Sequence, residues 1–293
     1  MWAATCVLAA CLNPSTTSPC PADRFLVQDG RSDYKIALHP SATETDHAAA
    51  RELQHYIEEI SCVRIPIVIE RSFSEKNLIC IGSAGHVEHF PKPIDWPLLE
   101  QDGFTLQTNG SRLLIAGGED RGTLNGVFTF LEDYLGCRKL SKDVTFTPRQ
   151  SSIIIRDMNR TDVPCFTYRE ILMPDVQDAA YATWHKLHNA KDRKREWGLY
   201  VHTFDDLVPP EIYFEEHPEY FAEVNGERVP NTQLCLTNPD LFRLIVAGLR
   251  ERMEKNPDAR YWSVSQNDTY NPCQCPACRA LDEAHGGHSG SLL

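Results

Sequence analysis

"GFTLQTNGSRLLIAGGEDRGTLNGVFTFLEDYLGCR", from Gly103 to Arg138, carries the pattern that decides the first part of the fold. Apolar and polar residues alternate on both sides of Asn109-Gly110-Ser111, which predicts a β-hairpin turning there. The period then lengthens. Leu124, Val127, Phe128, Leu131 and Leu135 fall on one helical face, and Gly136 follows as a stop. Between hairpin and helix, "GGEDRG" (Gly117 to Gly122) has the glycines of a phosphate loop. No Gly-Lys-Ser/Thr follows, and Glu119 and Asp120 put negative charge where a phosphate would sit. The glycines are therefore read as permitting a tight strand-to-helix turn.

Upstream, "YKIALH" (Tyr34 to His39), "IPIVIE" (Ile65 to Glu70) and "NLICIG" (Asn77 to Gly82) read as strands. Thr43 with Asp46 three residues on marks a helix start, after which Ala49, Leu53, Tyr56, Ile57 and Ile60 recur at helical spacing. Downstream, "SSIIIR" (Ser151 to Arg156) supplies a last strand. Together these predict an α+β domain over residues 31–158.

From Val163 the pattern changes to strand–helix units. "CFTYREIL" (Cys165 to Leu172), "WGLYVHTF" (Trp197 to Phe204) and "RYWSVSQND" (Arg260 to Asp268) read as strands. Val176 to His188 reads as helix or helix-like loop, and helices lie at about Asp240 to Lys255 and at Pro276 to Ala284. Repeated units of this kind predict a parallel sheet, taken here as the first part of a (β/α)8 TIM-type barrel over residues 159–293. A closed barrel needs eight units and ~250 residues, so the expectation is an incomplete catalytic domain.

The chain has a net charge of −12, which argues against general affinity for nucleic acid. Its one dense basic run, "KDRKRE" (Lys191 to Glu196), carries acids within it and reads as a solvated helix end. At the start, Leu8-Ala9-Ala10-Cys11 resembles a bacterial lipobox, followed by a polar tether within residues 1–30. That predicts export and a lipid anchor at Cys11, although no Lys or Arg precedes the apolar stretch as export signals usually require.

In a (β/α) barrel, functional residues gather at the carboxyl ends of the strands. Those ends carry Arg169-Glu170, His202-Thr203 and Gln266-Asn267-Asp268, with Tyr168, Trp184, Tyr200, Phe204 and Tyr213 nearby. Carboxylates and amides pair with hydroxyls and aromatic rings stack on sugar faces, so Glu170, His202, Asn267 and Asp268 are the candidate substrate-binding residues. Each also has a plainer reading: His202 as a loop histidine, Glu170 paired with Arg169, Asp205-Asp206 as a turn cap. Glycoside hydrolysis uses two carboxylates, or one with help from the substrate's acetamido group. No such pair falls on one strand end, so no catalytic residue is assigned.

Gly118 to Arg138 resembles the N-terminal domain of α-glucuronidases and of their relatives among β-hexosaminidases. "HTFDDLVPPEIYFEEHPEYFAEVNGERV", "QLCLTNP" and "SVSQNDTYNPCQCPACRALDE" are similar to domain of unknown function 4838. That family occurs in multidomain, often lipoprotein, glycan-degrading proteins of gut Bacteroidetes, and part of it forms glycoside hydrolase family 163. The resemblance implies endo-β-N-acetylglucosaminidase action on complex N-glycans by substrate-assisted retaining hydrolysis, with a glycan as partner and no cofactor. It implies sugar contact for His202, Asn267 and Asp268 and matches no residue to the two catalytic carboxylate roles. A non-catalytic glycan-binding or scaffold protein is the competing expectation.

Cys273, Cys275 and Cys278 in "NPCQCPAC" are one ligand short of a zinc site, and Cys235 in "QLCLTNP" could be the fourth. One or two disulfides, or a buried cluster of free thiols, fit the same spacing.

Overall fold

The computed structural model describes residues 24–71, 75–82, 89–118 and 121–292. It is a mixed α and β structure that divides into two compact units, one up to Leu187 and one from His188 to Leu293. Cys11 and its lipobox lie outside the described residues.

The first unit contains β1 (Arg24–Val27), β2 (Lys35–Leu38), α1 (Glu44–Ser61), β3 (Ile67–Ile69), β4 (Leu78–Ile81) and α2 (Trp96–Leu99). The predicted hairpin and helix follow as β5 (Phe104–Asn109), β6 (Arg112–Gly117) and α3 (Gly122–Asp133). Then come β7 (Arg138–Lys139), β8 (Thr145–Phe146), β9 (Ile153–Ile155), β10 (Asn159–Asp162) and α4 (Ala179–Trp184). The main sheet has the order β10-β5-β6-β4-β2-β3. β3, β2, β4 and β6 run parallel, while β5 pairs antiparallel to β6 and β10 antiparallel to β5.

Alternation explains how this sheet is covered. Ile36, Leu38, Ile79, Ile81, Leu113 and Ile115 face the main core, where Leu53, Ile57 and Val127 of α1 and α3 pack on them. Ala37, Leu78, Cys80, Leu114 and Ala116 face the other way and are covered by Phe90, Ile94 and Trp96. Every residue of β4 is buried, so its sequence is a continuous apolar run. The Thr43–Asp46 signal is a capping box: Asp46 N–H donates to Thr43 Oγ1 (3.1 Å), and Thr43 N–H to Asp46 Oδ2 (3.0 Å). A cleft of about 640 Å³ at this end of the sheet is lined by Thr43, Asp46, Trp96, Glu100, Gly118 and Thr123, among others.

Two expectations need correcting here. The first domain does not end at residue 158. β10 pairs with β5, and Trp184 is only 1% exposed within the main core, so residues 159–187 belong to the first unit. Cys165 to Leu172, expected as the first barrel strand, is not a strand. Its Arg169 is drawn into a charge cluster instead. Asp102 receives Arg121 Nε (3.2 Å) and Nη2 (2.7 Å) together with Arg169 Nη2, while Arg169 Nε donates to Lys186 O (2.9 Å). Arg121 also donates to Leu187 O (3.0 Å), tying both ends of the segment to the sheet.

Burial works against the Asp102 charge, but Arg121 and Arg169 together hold its carboxyl below the ordinary range. Asp102→Asn is expected to cost about 2–3 kcal/mol at neutral pH, because two poorly exposed guanidiniums lose their anion. The folded-state value is depressed, so this stabilisation is complete above the ordinary aspartate value of 3.8 and is lost as pH falls through the lower folded value. Denaturant unfolding at neutral and acid pH checks both statements: the gap between wild type and variant closes on acidification.

The second unit contains α5 (Ala190–Glu196), β11 (Trp197–Leu199), α6 (Phe204–Leu207), α7 (Pro210–Tyr213), β12 (Glu223–Val224) and β13 (Glu227–Arg228). α8 (Pro239–Lys255), β14 (Tyr261–Trp262) and α9 (Pro276–His285) complete it. β11 and β14 pair in parallel, with Trp197 opposite Tyr261 and Leu199 opposite Trp262. Leu241 and Ile245 of α8 pack with Leu199, Phe204, Val208 and Phe221 in this unit's own core. The basic run forms α5 and has exposed Lys191, Lys194 and Arg195; Arg193 lies over the Tyr200 ring at 4.7 Å. No helix among the described residues is long and apolar enough to cross a membrane.

Candidate functional site

Beyond their last paired residues, β11 and β14 continue side by side. Ser263 N–H donates to Leu199 O (3.0 Å) and Thr203 N–H to Ser265 O (3.1 Å). The fully buried Thr203 hydroxyl donates to Ser263 O (3.1 Å) and accepts from Ser265 N–H (3.0 Å). These bonds fix two strand ends whose next residues are polar.

His202 occupies the left-handed backbone region at φ 58°, which turns the chain sharply and leaves the side chain exposed. Its Nδ1 lies 3.1 Å from Gln266 O. A carbonyl only accepts, so Nδ1 is the donor in this contact. Asn267 lies beside it but is only 7% exposed, and its amide is committed. Nδ2 donates to Asp205 Oδ1 (2.8 Å) and Thr232 O (2.7 Å). Gln233 closes the network, donating to Asn267 O (2.6 Å) and accepting from Asn267 N–H (3.1 Å). Asn267 thus joins three loops, while Asp268 beside it is exposed.

Asp205, which the sequence suggested only as a turn cap, is the carboxylate that this geometry adds to the site. Thr203 at the cap of α6 makes no side-chain capping bond, and Asp205 turns to Asn267 instead. The available signal was an acid three residues after His202 at a strand end. Glu170 belongs to the first unit, where it accepts from the Tyr168 hydroxyl; His202, Asn267 and Asp268 belong to the second. Trp184 and Phe204 are each 1% exposed core residues, so neither presents a ring face to a sugar.

Removing the Asn267 amide leaves buried partners unsatisfied, so Asn267→Ala is expected to cost about 1–3 kcal/mol. Asn267→Asp places a second carboxylate against Asp205 and is expected to be no better. Thermal unfolding followed by exchange protection in residues 197–270 measures both.

The four cysteines form the second feature of this unit. Cys235, Cys273, Cys275 and Cys278 are buried, and their sulfurs all lie within 4.8 Å of one another. Cys235 Sγ is 3.7 Å from Cys275 Sγ and 3.9 Å from Cys278 Sγ. Thr237 Oγ1 is 3.2 Å from Cys278 Sγ. Hydrogen bonds from the Cys273 and Cys278 sulfurs hold the Cys235 thiol far below its ordinary range, and the same contacts push Cys278 up.

The family model described as domain of unknown function (DUF4838) matches residues 139–293. The model for the glycosyl hydrolase family 67 N-terminus matches residues 30–130. No curated protein matches the chain. Among solved structures, it aligns with BtGH115A, described as a family GH115 4-O-methyl-α-glucuronidase with specificity for decorated arabinogalactans, at 15% identity and a TM-score of 0.36. That alignment covers 47% of this chain and 19% of BtGH115A. CpGH84D aligns at 14% identity and a TM-score of 0.25, over 32% of this chain and 16% of that one. The chain thus spans less than a fifth of the length of either structure. The DUF4838 match takes in more than half of the chain and all of its second unit, and the chain belongs to that family.

Proposed function

We propose that this chain is a glycoside hydrolase, or the N-terminal part of one, acting on N-acetylglucosamine-containing glycans in the manner of an endo-β-N-acetylglucosaminidase. The observation that carries the reading is the pair of locked parallel strand ends. They set the His202 imidazole against Gln266 O and the Asp205 carboxylate against Asn267, the residue before the exposed Asp268. Hydrogen-bond acceptors at the carboxyl ends of parallel strands suit sugar hydroxyls. We take β11, α8 and β14 as one strand–helix–strand unit of a (β/α) barrel. The family 67 N-terminal match at residues 30–130 supports the same reading.

The test is binding and release together. Complex N-glycans are titrated against the chain, and free glycan is followed by mass spectrometry. His202→Ala and Asp268→Ala are each expected to weaken binding about tenfold, equivalent to about 1.4 kcal/mol. Binding without release favours a glycan-binding or scaffold role. Neither binding nor release sinks the proposal. We further propose export with a lipid on Cys11, which mass spectrometry of the N-terminal peptide from membrane fractions tests; an unmodified Cys11 in cytosol rejects it.

A further inference from the structure

Cys235, Cys273, Cys275 and Cys278 reach one point from three directions. Cys235 ends the loop after the β12–β13 hairpin, its N–H bonded to Tyr220 O (2.8 Å). Cys273 approaches the hairpin itself, where Glu223 N–H points at its sulfur (3.4 Å) and Arg228 Nη1 lies 3.8 Å away. Cys275 caps the N-terminus of α9, and Cys278 sits in that helix's first turn. Four thiolates around a tetrahedral zinc with ~2.3 Å bonds have sulfur–sulfur edges of about 3.8 Å. The 3.7 Å and 3.9 Å separations already match that edge, and no pair is further apart than 4.8 Å. The surroundings fit too. Four thiolates on one divalent ion leave a net charge of −2, and the Arg228 guanidinium, the Glu223 amide and the positive end of α9 all lie against it.

We infer that these four cysteines bind one zinc ion as a closed structural site. The ion brackets the hairpin and α9. The hairpin is bonded to the cysteine loop through Gln274 N–H to Glu223 O (2.7 Å) and Asn225 N–H to Gln274 Oε1 (3.0 Å). The same loop starts at Asn267, and Gln233, two residues before Cys235, is Asn267's main partner. Zinc therefore holds the loops that carry Asn267 and Asp268, and with four protein ligands it has no open position for substrate. This inference does not depend on the glycosidase reading.

The test uses tag-free full-length chain prepared without chelator in zinc-containing medium. Native mass spectrometry and elemental analysis are expected to give one zinc per chain. Differential alkylation should find these four thiols protected until acid and chelator release the metal, whereas Cys62 and Cys165, which are exposed, react at once. Cys235→Ser and Cys278→Ser should each lose stoichiometric zinc. Because either variant could unfold, wild-type protein is also reconstituted with cobalt(II), whose thiolate charge-transfer bands report sulfur ligation directly. Four free thiols without metal, a disulfide between any two of the four in a non-reduced peptide map, or zinc that survives both substitutions each overturns the inference.

Discussion

Gly117→Ala is expected to destabilise the first unit by about 4 kcal/mol or more, a loss reserved for clashes that have nowhere to relax. A Cβ on Gly117 would lie 2.0 Å from Gly122 C and 2.2 Å from Thr123 N, the backbone that begins α3. No side chain can swing aside to relieve that. The neighbouring glycines interlock in the same way: a Cβ on Gly118 would meet Glu100 O at 1.9 Å, and one on Gly122 would meet Gly103 O at 2.2 Å. The turn is held by Gly118 N–H to Gly103 O (2.8 Å) and Gly122 N–H to Gln101 O (3.1 Å). "GGEDRG" therefore carries glycine because backbone meets backbone there, with no phosphate required. Gly110→Ala is the control. At φ +59° with nothing within 4 Å, it tests left-handed geometry alone and is expected to cost about 1 kcal/mol. Denaturant unfolding read by hydrogen exchange in unit-one peptides compares the two. A Gly117→Ala loss no larger than that of Gly110→Ala defeats the close-approach argument.

The parts of the fold that were legible in the sequence are those set by neighbours along the chain. The hairpin turn at Gly110-Ser111, the Thr43–Asp46 capping box and the helical face of α3 each depend on residues a few positions apart. Cys165 to Leu172 misled because its composition suits a strand, yet a strand needs a partner. Phe166 is 72% exposed and Leu172 76% exposed, so the apolar residues that suggested burial find none in this chain. Asn267 differs in the opposite direction. A polar residue ending an apolar strand is costly unless exposed or partnered. Its partners Asp205 and Thr232 are 62 and 35 residues away, beyond any local pattern. The sequence named all four members of the cysteine cluster, Cys235 among them as the possible fourth. The spacing of Cys273, Cys275 and Cys278 was plain, but the convergence of Cys235 on them depends on a hairpin and two loops.

Trp184→Ala is expected to cost about 3–5 kcal/mol, and the loss should register in the first unit. Trp184 is 1% exposed and packs against Phe128 (ring centroids 4.8 Å) and Tyr56 (5.0 Å), side chains of α3 and α1. Its indole N–H donates to Glu132 Oε1 (2.6 Å), and Lys186 Nζ lies 3.8 Å from the other oxygen of that carboxylate. Truncation leaves a cavity the size of an indole and strips Glu132 of its buried donor. Trp184→Phe restores most of the ring contact without the donor, so its cost should be roughly half as large, about 1.5–2.5 kcal/mol. The measurement is hydrogen exchange resolved by peptide. If residues 159–187 are integral to the first unit, protection in α1 and α3 falls in step with global stability in both variants. If they were an appendage of the second unit, as the expected boundary at residue 158 implied, α1 and α3 would keep wild-type protection. That second outcome would return the boundary to residue 158. It would also leave unexplained why the largest fully buried side chain of the α1–α3 core comes from a helix that begins at Ala179.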